Sequence, residues 1–286
     1  MIRKYVRQIG RYATGNNAAK RLAAIESYRE VDRLKQIVLE KMPNDPVLTG
    51  FKVYSQNDED GIIEHIFRLI GAGSTFLEIG VENGTECNTH FLMLKGWRGC
   101  WIDGSPTMCQ QIEANLGARK FDNKFELVES FVTAENIVDL YKRTIQFTDV
   151  DDLDLFSLDI DGNDLYVIEA LLASGARPSV ICAEYNGKFP PPFVTTVNYR
   201  ATRCWEADEF FGASLQAIHD VAAVAGYKPV TCNITGANIF MVRSELAHLF
   251  PSFSISEIWR PLRLELCPLP TSHKPTLKFL KQTLLS

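Results

Sequence analysis

The sequence lacks the patterns of several common protein classes. Its seven cysteines are odd in number and scattered, and none forms a C-x-x-C pair, which predicts reduced thiols and a cytoplasmic location. No apolar run reaches the roughly 18 residues that span a bilayer, and no apolar segment follows Arg3, Lys4 and Arg7 to form a signal peptide. A secreted or membrane-spanning protein is therefore not expected.

Acidic residues outnumber basic residues beyond the N-terminal segment. The 286 residues carry a net charge of -5, yet residues 1–50 contain ten Lys and Arg against five Asp and Glu. The remainder is thus acidic, which argues against a duplex-binding surface on the main body. Hydrophobic residues make up 46% of the chain, enough for one large core plus extensions.

A phosphate-binding glycine loop is also missing. The apolar run Thr75-Phe-Leu-Glu-Ile-Gly-Val-Glu-Asn-Gly-Thr-Glu-Cys-Asn88 has glycines only at 80 and 84, so it lacks the G-x-G-x-x-G spacing that brings backbone N–H groups onto a pyrophosphate. A second run, Gly99-Cys-Trp-Ile-Asp103, ends on an acid. This order predicts a nucleoside cofactor without phosphates at the carboxyl edge of a parallel sheet, and S-adenosylmethionine fits.

Each strand end then has an expected role. Gly80 lets the backbone approach the cofactor, Glu78 faces its ammonium or sulfonium end, and Asp103 accepts the ribose hydroxyls. The adenine is expected near Phe131; the alternative is that these acids cap the following helices. The residues predicted to bind the cofactor from this pattern are Glu78, Gly80, Asn88, Asp103, Gly104, Ser105, Ser130, Phe131 and Asp159.

Short β-rich runs alternate with amphipathic stretches from residue 75 onward. Strands are predicted at 75–81, 99–103, 125–130, 154–160, 179–185, 228–233 and 237–243, and helices at 86–95, 106–117, 134–145, 164–174 and 212–225. The last two strands pair as a hairpin. The predicted fold is therefore a Rossmann-like α/β domain, a mostly parallel seven-stranded sheet ending in an antiparallel hairpin, as in class I methyltransferases.

Three segments lie outside this alternation. Residues 1–50 are predicted as a helical arm, which serves docking or homo-oligomerisation or, through its basic first half, touches an anionic membrane. Residues 187–212 form a long insertion in the 51–245 domain, typical of a substrate lid. Residues 246–286 are predicted to wrap irregularly before a short basic helix.

Acids and an amide follow the fourth and fifth predicted strands, in Asp159-Ile-Asp-Gly-Asn-Asp164 and Glu184-Tyr-Asn186. Oxygen ligands from neighbouring strand ends suit Mg²⁺, which would lower the pKa of an acceptor hydroxyl. We therefore predict a metal site from Asp161, Glu184 and Asn186; the alternative is a turn and a helix cap. No histidine lies at a predicted strand end, so Asp161 or Asp164 is the expected base.

The insertion and its flank carry side chains suited to an anionic or polyhydroxylated acceptor; the alternative, which the exposed position of a loop favours, is that its arginines are only solvated. The residues predicted to bind the acceptor are Tyr185, Lys188, Tyr199, Arg200 and Arg203.

Four motifs together resemble a known family. They are Tyr54-Ser-Gln-Asn-Asp-Glu-Asp-Gly-Ile62, the glycine turn from Phe76, Gly96-Trp-Arg-Gly-Cys-Trp-Ile-Asp-Gly104, and Leu158-Asp-Ile-Asp-Gly-Asn-Asp164. In this order, over about residues 50–245, they resemble the FkbM-type methyltransferases. The resemblance implies S-adenosylmethionine as donor and O-methylation of a sugar, polysaccharide or polyketide hydroxyl. It also implies that Ser55 and Gln56 lie near the methionine end of the cofactor.

A more distant similarity links the chain to metal-dependent sugar O-methyltransferases. Asp161-Gly-Asn-Asp164 and Glu184-Tyr-Asn186 occupy places comparable to their metal-binding segments, but Asp164 replaces a histidine and Asn186 stands in for an acid. Two alternatives stay open: a glycosyltransferase with Asp159-Ile-Asp161 as a D-x-D site, or a non-catalytic scaffold. A nucleic-acid base methyltransferase is disfavoured, because Asp161-Gly162 stands where Asn or Asp followed by Pro-Pro and an aromatic is needed.

Overall fold

The computed structural model describes residues 2–117, 120–121, 123–266 and 276–286, except the side chains of 2–18, 20 and 120. One sheet forms its centre, with strand order β3-β4-β2-β1-β5-β6-β8-β7. The strands are β1 (Thr75–Ile79), β2 (Arg98–Asp103), β3 (Lys120–Phe121), β4 (Phe125–Glu129), β5 (Leu155–Leu158), β6 (Val180–Glu184), β7 (Tyr227–Cys232) and β8 (Asn238–Arg243).

The sheet confirms the predicted fold. Strands β4, β2, β1, β5 and β6 are mutually parallel, and β8 inserts antiparallel between β6 and β7. All seven predicted strands are present, and the two-residue β3 adds an antiparallel eighth at the edge. This is the strand order expected for a Rossmann-like class I methyltransferase fold.

Helices cover both faces of the sheet. They are α1 (Ile2–Lys41), α2 (Glu59–Ile70), α3 (His90–Leu94), α4 (Pro106–Leu116), α5 (Ile137–Thr148), α6 (Asp164–Ala173), α7 (Leu215–Val224), α8 (Ile255–Ile258) and α9 (Lys278–Leu285). Alternate residues of each strand enter two separate apolar layers, so Phe76 packs on one face and Leu77 on the other. At the carboxyl edge polar side chains lie beside these layers, among them Glu78, Asp103 and Glu184.

The predicted helix at 86–95 is wrong in extent, because only the five residues of α3 are helical. The backbone N–H groups of Asn88 and Thr89 donate to the Glu78 carboxylate instead of starting a helix. Sequence reasoning also missed α2, whose acidic first turn lies at the end of the Tyr54–Ile62 motif.

The terminal segments pack onto the domain. Ser27 Oγ in α1 donates to the Leu266 carbonyl (2.7 Å), and Lys35 Nζ donates to the Gly50 carbonyl (2.6 Å). In the C-terminal extension, buried Arg260 pairs with buried Asp45 (2.7 Å). The basic half of the arm lies outside the described side chains, and no described helix is long and apolar enough to cross a membrane.

Candidate functional site

The order of the parallel strands reverses between β1 and β5. Ligands bind beyond the carboxyl ends of the strands at such a switch point, and we call this region the crevice. Gly80 lies there with φ +84°, and a Cβ at this position would overlap the carbonyl oxygen of Asp159. The Asp159 N–H donates to the Ile79 carbonyl (3.2 Å). Glycine is thus required by the close approach of two strand ends, in addition to any approach of a cofactor.

Glu78 organises the turn that follows β1. Its carboxylate accepts hydrogen bonds from Asn88 N (2.7 Å) and Thr89 N (2.9 Å), and from the Thr89 hydroxyl. Burial raises the pKa of Glu78 to about 7. The Asn88 side chain donates to Ser157 Oγ (3.1 Å), so Glu78 and Asn88 both stabilise the turn beside the crevice. Contact of Glu78 and Asn88 with a cofactor stays a prediction.

Asp103 joins two turns at the carboxyl edge. Its Oδ2 accepts from the Glu82 N–H (2.8 Å) and its Oδ1 from the Ser105 N–H (2.7 Å). Each carboxylate oxygen has a second acceptor site, so the side chain can still receive a pair of hydroxyls. Burial raises the pKa of Asp103, and a diol that donates to the ionised form would lower it again.

An exposed aromatic lies beside this acid. The Phe131 side chain is 41% exposed, and a Cβ at Gly104 would approach its ring to 3.0 Å. Ser130 fixes the approach, because its N–H donates to the Asp103 carbonyl (2.9 Å), and Ser105 caps α4. Asp103, Gly104 and Phe131 therefore form an acid and a flat apolar surface next to each other, as a ribose and an adenine require.

Three carboxylates meet on the other side of the crevice. Oxygen atoms of Asp159, Asp161 and Glu184 lie within 4.8 Å of one another, and we call these residues the acid trio. Among the described residues no Lys or Arg pairs with the trio. Burial, and then the neighbouring acids, raise the pKa of Asp159 and of Glu184 well above the usual range. The trio fits a hard divalent cation, which would compensate this charge.

Asp161 and Asp164 have different environments. Asp161 has φ +54°, a left-handed conformation that aspartate tolerates, and its carboxylate belongs to the trio. Asp164 is fully buried, and its two oxygens accept from Ile160 N (3.0 Å) and Gly162 N (2.8 Å). The prediction of Asp164 as a base is therefore corrected: it caps the turn that presents Asp161, and burial raises its pKa to about 6.

Two predicted residues near the fifth strand end have extensive contacts with the protein. Asn186 is buried, and its Nδ2 donates to the carbonyls of Glu209 and Phe211 (both 3.1 Å). Its Oδ1 accepts from the Lys188 N–H (3.2 Å), and its binding of a metal stays a prediction. Tyr185 lies in the apolar core, and its hydroxyl donates to the Arg260 carbonyl (2.8 Å). The prediction that Tyr185 binds the acceptor is wrong, since strand alternation turns it to the face opposite Glu184.

The insertion packs against the turn that carries Asp161. The Asn163 side chain donates to the Arg200 carbonyl (2.8 Å), and the aliphatic carbons of Arg203 lie against Gly162. The charged groups of the loop pair with each other: Lys188 with Glu209 (2.6 Å), and Arg200 with Glu206 (3.2 Å).

Aromatic side chains form much of the remaining loop surface. Tyr199 donates its hydroxyl to Glu135, which ties the loop to the segment before α5. Phe193, Trp205 and Phe210 are each more than half exposed.

The Tyr54–Ile62 motif borders the same edge. Ser55 is fully buried, and its hydroxyl donates to the Asn57 carbonyl (3.3 Å), whereas Gln56 is exposed. Asp60 Oδ2 accepts from the N–H groups of Val53, Tyr54 and Ser55, which closes the segment into a tight turn. Of the two residues that the resemblance places near a cofactor, only Gln56 presents an accessible side chain.

Glu82 is a site residue that sequence reasoning missed. Its N–H holds Asp103, and the pKa of its carboxyl is raised by burial and by the charges of Asp103 and Asp161. Glu82 thus lies within electrostatic range of both sides of the crevice. Its positive φ of 47° is the local feature that directs the turn, and nothing in the sequence signals it.

The sequence matches no protein-family profile and no curated protein, so the FkbM-type resemblance stays a prediction. Solved structures that resemble this chain include a candidate caffeoyl-CoA O-methyltransferase from Staphylococcus aureus, 14% identical over 77% of this chain and 99% of that one, with a TM-score of 0.44. The O-methyltransferase of Bacillus cereus in complex with SAH is 15% identical over 76% of this chain and 89% of that one, with a TM-score of 0.41. CalS10, an amino pentose methyltransferase from Micromonospora echinaspora, is 13% identical over 66% and 92%, with a TM-score of 0.39.

Proposed function

We propose that the protein transfers a methyl group from S-adenosylmethionine to a hydroxyl of a sugar, polysaccharide or related natural product, with help from a divalent metal. The observation that carries the proposal is the arrangement across one crevice. Asp103 and Phe131 border it on the β2 and β4 side, and the acid trio borders it at β5 and β6. A diol-binding acid beside an aromatic surface favours a nucleoside, and the trio favours chemistry at an oxygen.

The cofactor would lie along the carboxyl ends of β1, β2 and β4. Asp103 would accept the ribose hydroxyls, Phe131 would contact the adenine, and Gln56 would border the methionine end. When bound, S-adenosylmethionine would supply its sulfonium methyl carbon for in-line attack by the acceptor oxygen, with the thioether sulfur of SAH as the leaving group. The protein then acts mainly by holding the two reactants in register and excluding water.

The acid trio would act on the acceptor. Magnesium held by Asp159, Asp161 and Glu184 would lower the pKa of a hydroxyl that it binds. Asp161 is the acid that reaches the open side of the crevice, so it would also receive the hydroxyl proton as the new O–CH₃ bond forms. Asp164 positions Asp161 through the 160–162 backbone.

The loop supports an acceptor without negative charge. Its Lys188 and Arg200 already have acid partners within the loop, and Arg203 lies over the Phe210 ring (5.4 Å). Exposed Phe193 and Trp205 offer flat apolar surfaces that suit the C–H faces of a sugar ring.

Isothermal titration tests the cofactor assignment. We expect S-adenosylmethionine and SAH to bind one per chain, and UDP-sugars not to bind. A UDP-sugar that binds in the presence of Mn²⁺ while S-adenosylmethionine does not would favour the D-x-D glycosyltransferase. Absence of binding by any of these ligands would favour a scaffold. Transfer of labelled methyl groups onto cell-wall and capsule sugars, read by mass spectrometry, then tests the acceptor class.

Asp103→Ala is expected to weaken SAH binding about 100-fold, because the ribose diol loses a charged acceptor worth roughly 3 kcal/mol. Isothermal titration measures the change. Asp154→Ala is the matched control, since Asp154 Oδ2 also accepts backbone N–H groups, from Ser74 (2.8 Å) and Thr75 (3.0 Å), but at the amino end of β5. SAH affinity of Asp103→Ala equal to that of the wild type would refute the ribose role.

Phe131→Ala is expected to weaken SAH binding about tenfold, because one ring contact with the adenine contributes roughly 1.5 kcal/mol. The same titration measures it. Phe279→Ala provides the control, since Phe279 is also exposed (63%) but lies on α9. Equal SAH affinities for the two variants would place the adenine away from Phe131.

A further inference from the structure

Oε2 of Glu184 and Oδ1 of Asn238 are among the buried side-chain oxygens that have no hydrogen-bond partner in the described residues. Asn238 is only 5% exposed. A buried acceptor without a donor is unfavourable, so a donor or a cation at this position would stabilise both oxygens.

Glu184 and Asn238 are direct neighbours across the sheet. They face each other in the antiparallel pairing of β6 and β8, and the next pair is joined by the hydrogen bond from Tyr185 N to the Ala237 carbonyl (2.8 Å). The Glu184 and Asn238 pair is therefore of the non-hydrogen-bonded kind, in which facing side chains are closest. Both side chains project from the same face of the sheet.

The orientation of the Asn238 amide is fixed by Glu59. Asn238 Nδ2 donates to Glu59 Oε1 (3.1 Å), an oxygen that also accepts from Asn233 Nδ2 (2.7 Å). An ionised carboxylate only accepts hydrogen bonds, so the amide nitrogen faces Glu59 and the amide oxygen points away from it. Glu184 is a member of the acid trio and faces Asn238 in the β6–β8 pairing, so Asn238 lies next to the trio.

We propose that Asn238 Oδ1 is a fourth protein ligand of a divalent-cation site built on the acid trio, and that Glu59 positions it. The proposal rests on the metal part of the proposed function. Carboxylate and amide oxygens are the ligands that Mg²⁺ and Mn²⁺ take in proteins. A neutral fourth ligand adds an oxygen without adding a further negative charge to an acidic site.

Binding of Mn²⁺ alone to the full chain tests the proposal, with free Mn²⁺ measured by electron paramagnetic resonance. We expect the wild type to bind one Mn²⁺, Asn238→Ala to bind it about tenfold more weakly, and Asn238→Asp to retain the affinity. Asn57→Ala is the matched control, because Asn57 Nδ2 also donates to Glu59 Oε1 (3.2 Å); it should bind Mn²⁺ like the wild type.

Wild-type affinity in Asn238→Ala would overturn the proposal. So would equal weakening in Asn57→Ala, which would assign the effect to the Glu59 network, or no Mn²⁺ binding by the wild type, which would leave Glu184 and Asp159 sharing a proton. SAH titration of the same samples keeps the conclusions apart. If the wild type does not bind SAH, the proposed cofactor is refuted. Unchanged SAH affinity in Asn238→Ala shows that the variant is folded.

Discussion

Asp161→Asn is expected to reduce methyl transfer about 100- to 1,000-fold while leaving SAH affinity unchanged. The variant removes one charged ligand of the trio and the carboxylate that receives the hydroxyl proton, a loss of roughly 3–4 kcal/mol of transition-state stabilisation. Asparagine adopts the left-handed conformation at least as readily as aspartate, so the turn should persist. Single-turnover transfer measures the rate, and titration measures SAH affinity.

Asp149→Asn is a close control for this experiment. Asp149 also has a left-handed backbone, with φ 55°, but it ends α5 and has no place in the site. Its variant should transfer methyl groups at the wild-type rate. If Asp161→Asn were equally active, the role of the trio in turnover would be refuted. Loss of activity in Asp161→Asn combined with full wild-type activity in EDTA would leave Asp161 as a base without a metal.

Gly80→Ala is expected to lower the free energy of unfolding by more than about 4 kcal/mol. The added Cβ would overlap the Asp159 carbonyl. A side-chain rotation cannot relieve this overlap, because a Cβ is fixed to its backbone and the carbonyl belongs to the backbone that follows the adjacent strand. Urea unfolding followed by circular dichroism measures the loss. Any protein that folds should also show weakened Mn²⁺ binding, since Asp159 must move.

Gly175→Ala is a control that separates the cost of a left-handed alanine from the cost of the steric overlap at position 80. Gly175 has a similar φ of +89°, but no atom lies within 4 Å of its would-be Cβ. It should lose only about 1–2 kcal/mol, the cost of a left-handed alanine. Similar losses in the two variants would show that β1 and β5 can separate, and would remove the steric argument for Gly80.

The fold could be predicted because its signals are local. Buried runs that end in Glu78 or Asp103 alternate with amphipathic stretches, and this alternation determines a parallel sheet whose strand ends share one edge. The error at 86–95 has a non-local cause. The Glu78 carboxylate accepts hydrogen bonds from the N–H groups of Asn88 and Thr89, and the sequence of residues 86–95 does not predict these bonds.

The candidate site was predicted less completely, for three different physical reasons. The opposite facing of Glu184 and Tyr185 follows from strand alternation, so that signal was available and was overlooked. Asp161 and Asp164 have different environments because Asp161 has a positive φ, and the residue type alone does not predict that conformation. Asn238 becomes a neighbour of Glu184 only through the register of β6 and β8. No hairpin turn joins these two strands, so neither a local turn nor the sequence pattern fixes that register.

Asn186 holds the two ends of the insertion together. Its amide donates to the carbonyls of Glu209 and Phe211 at the rim of the sheet. The entropy of closing a loop grows slowly with its length, so a change in the number of residues in the exposed stretch 204–208 should cost little stability. Residues 197–200 differ, because the Val197 and Arg200 carbonyls accept hydrogen bonds from Tyr166 and Asn163.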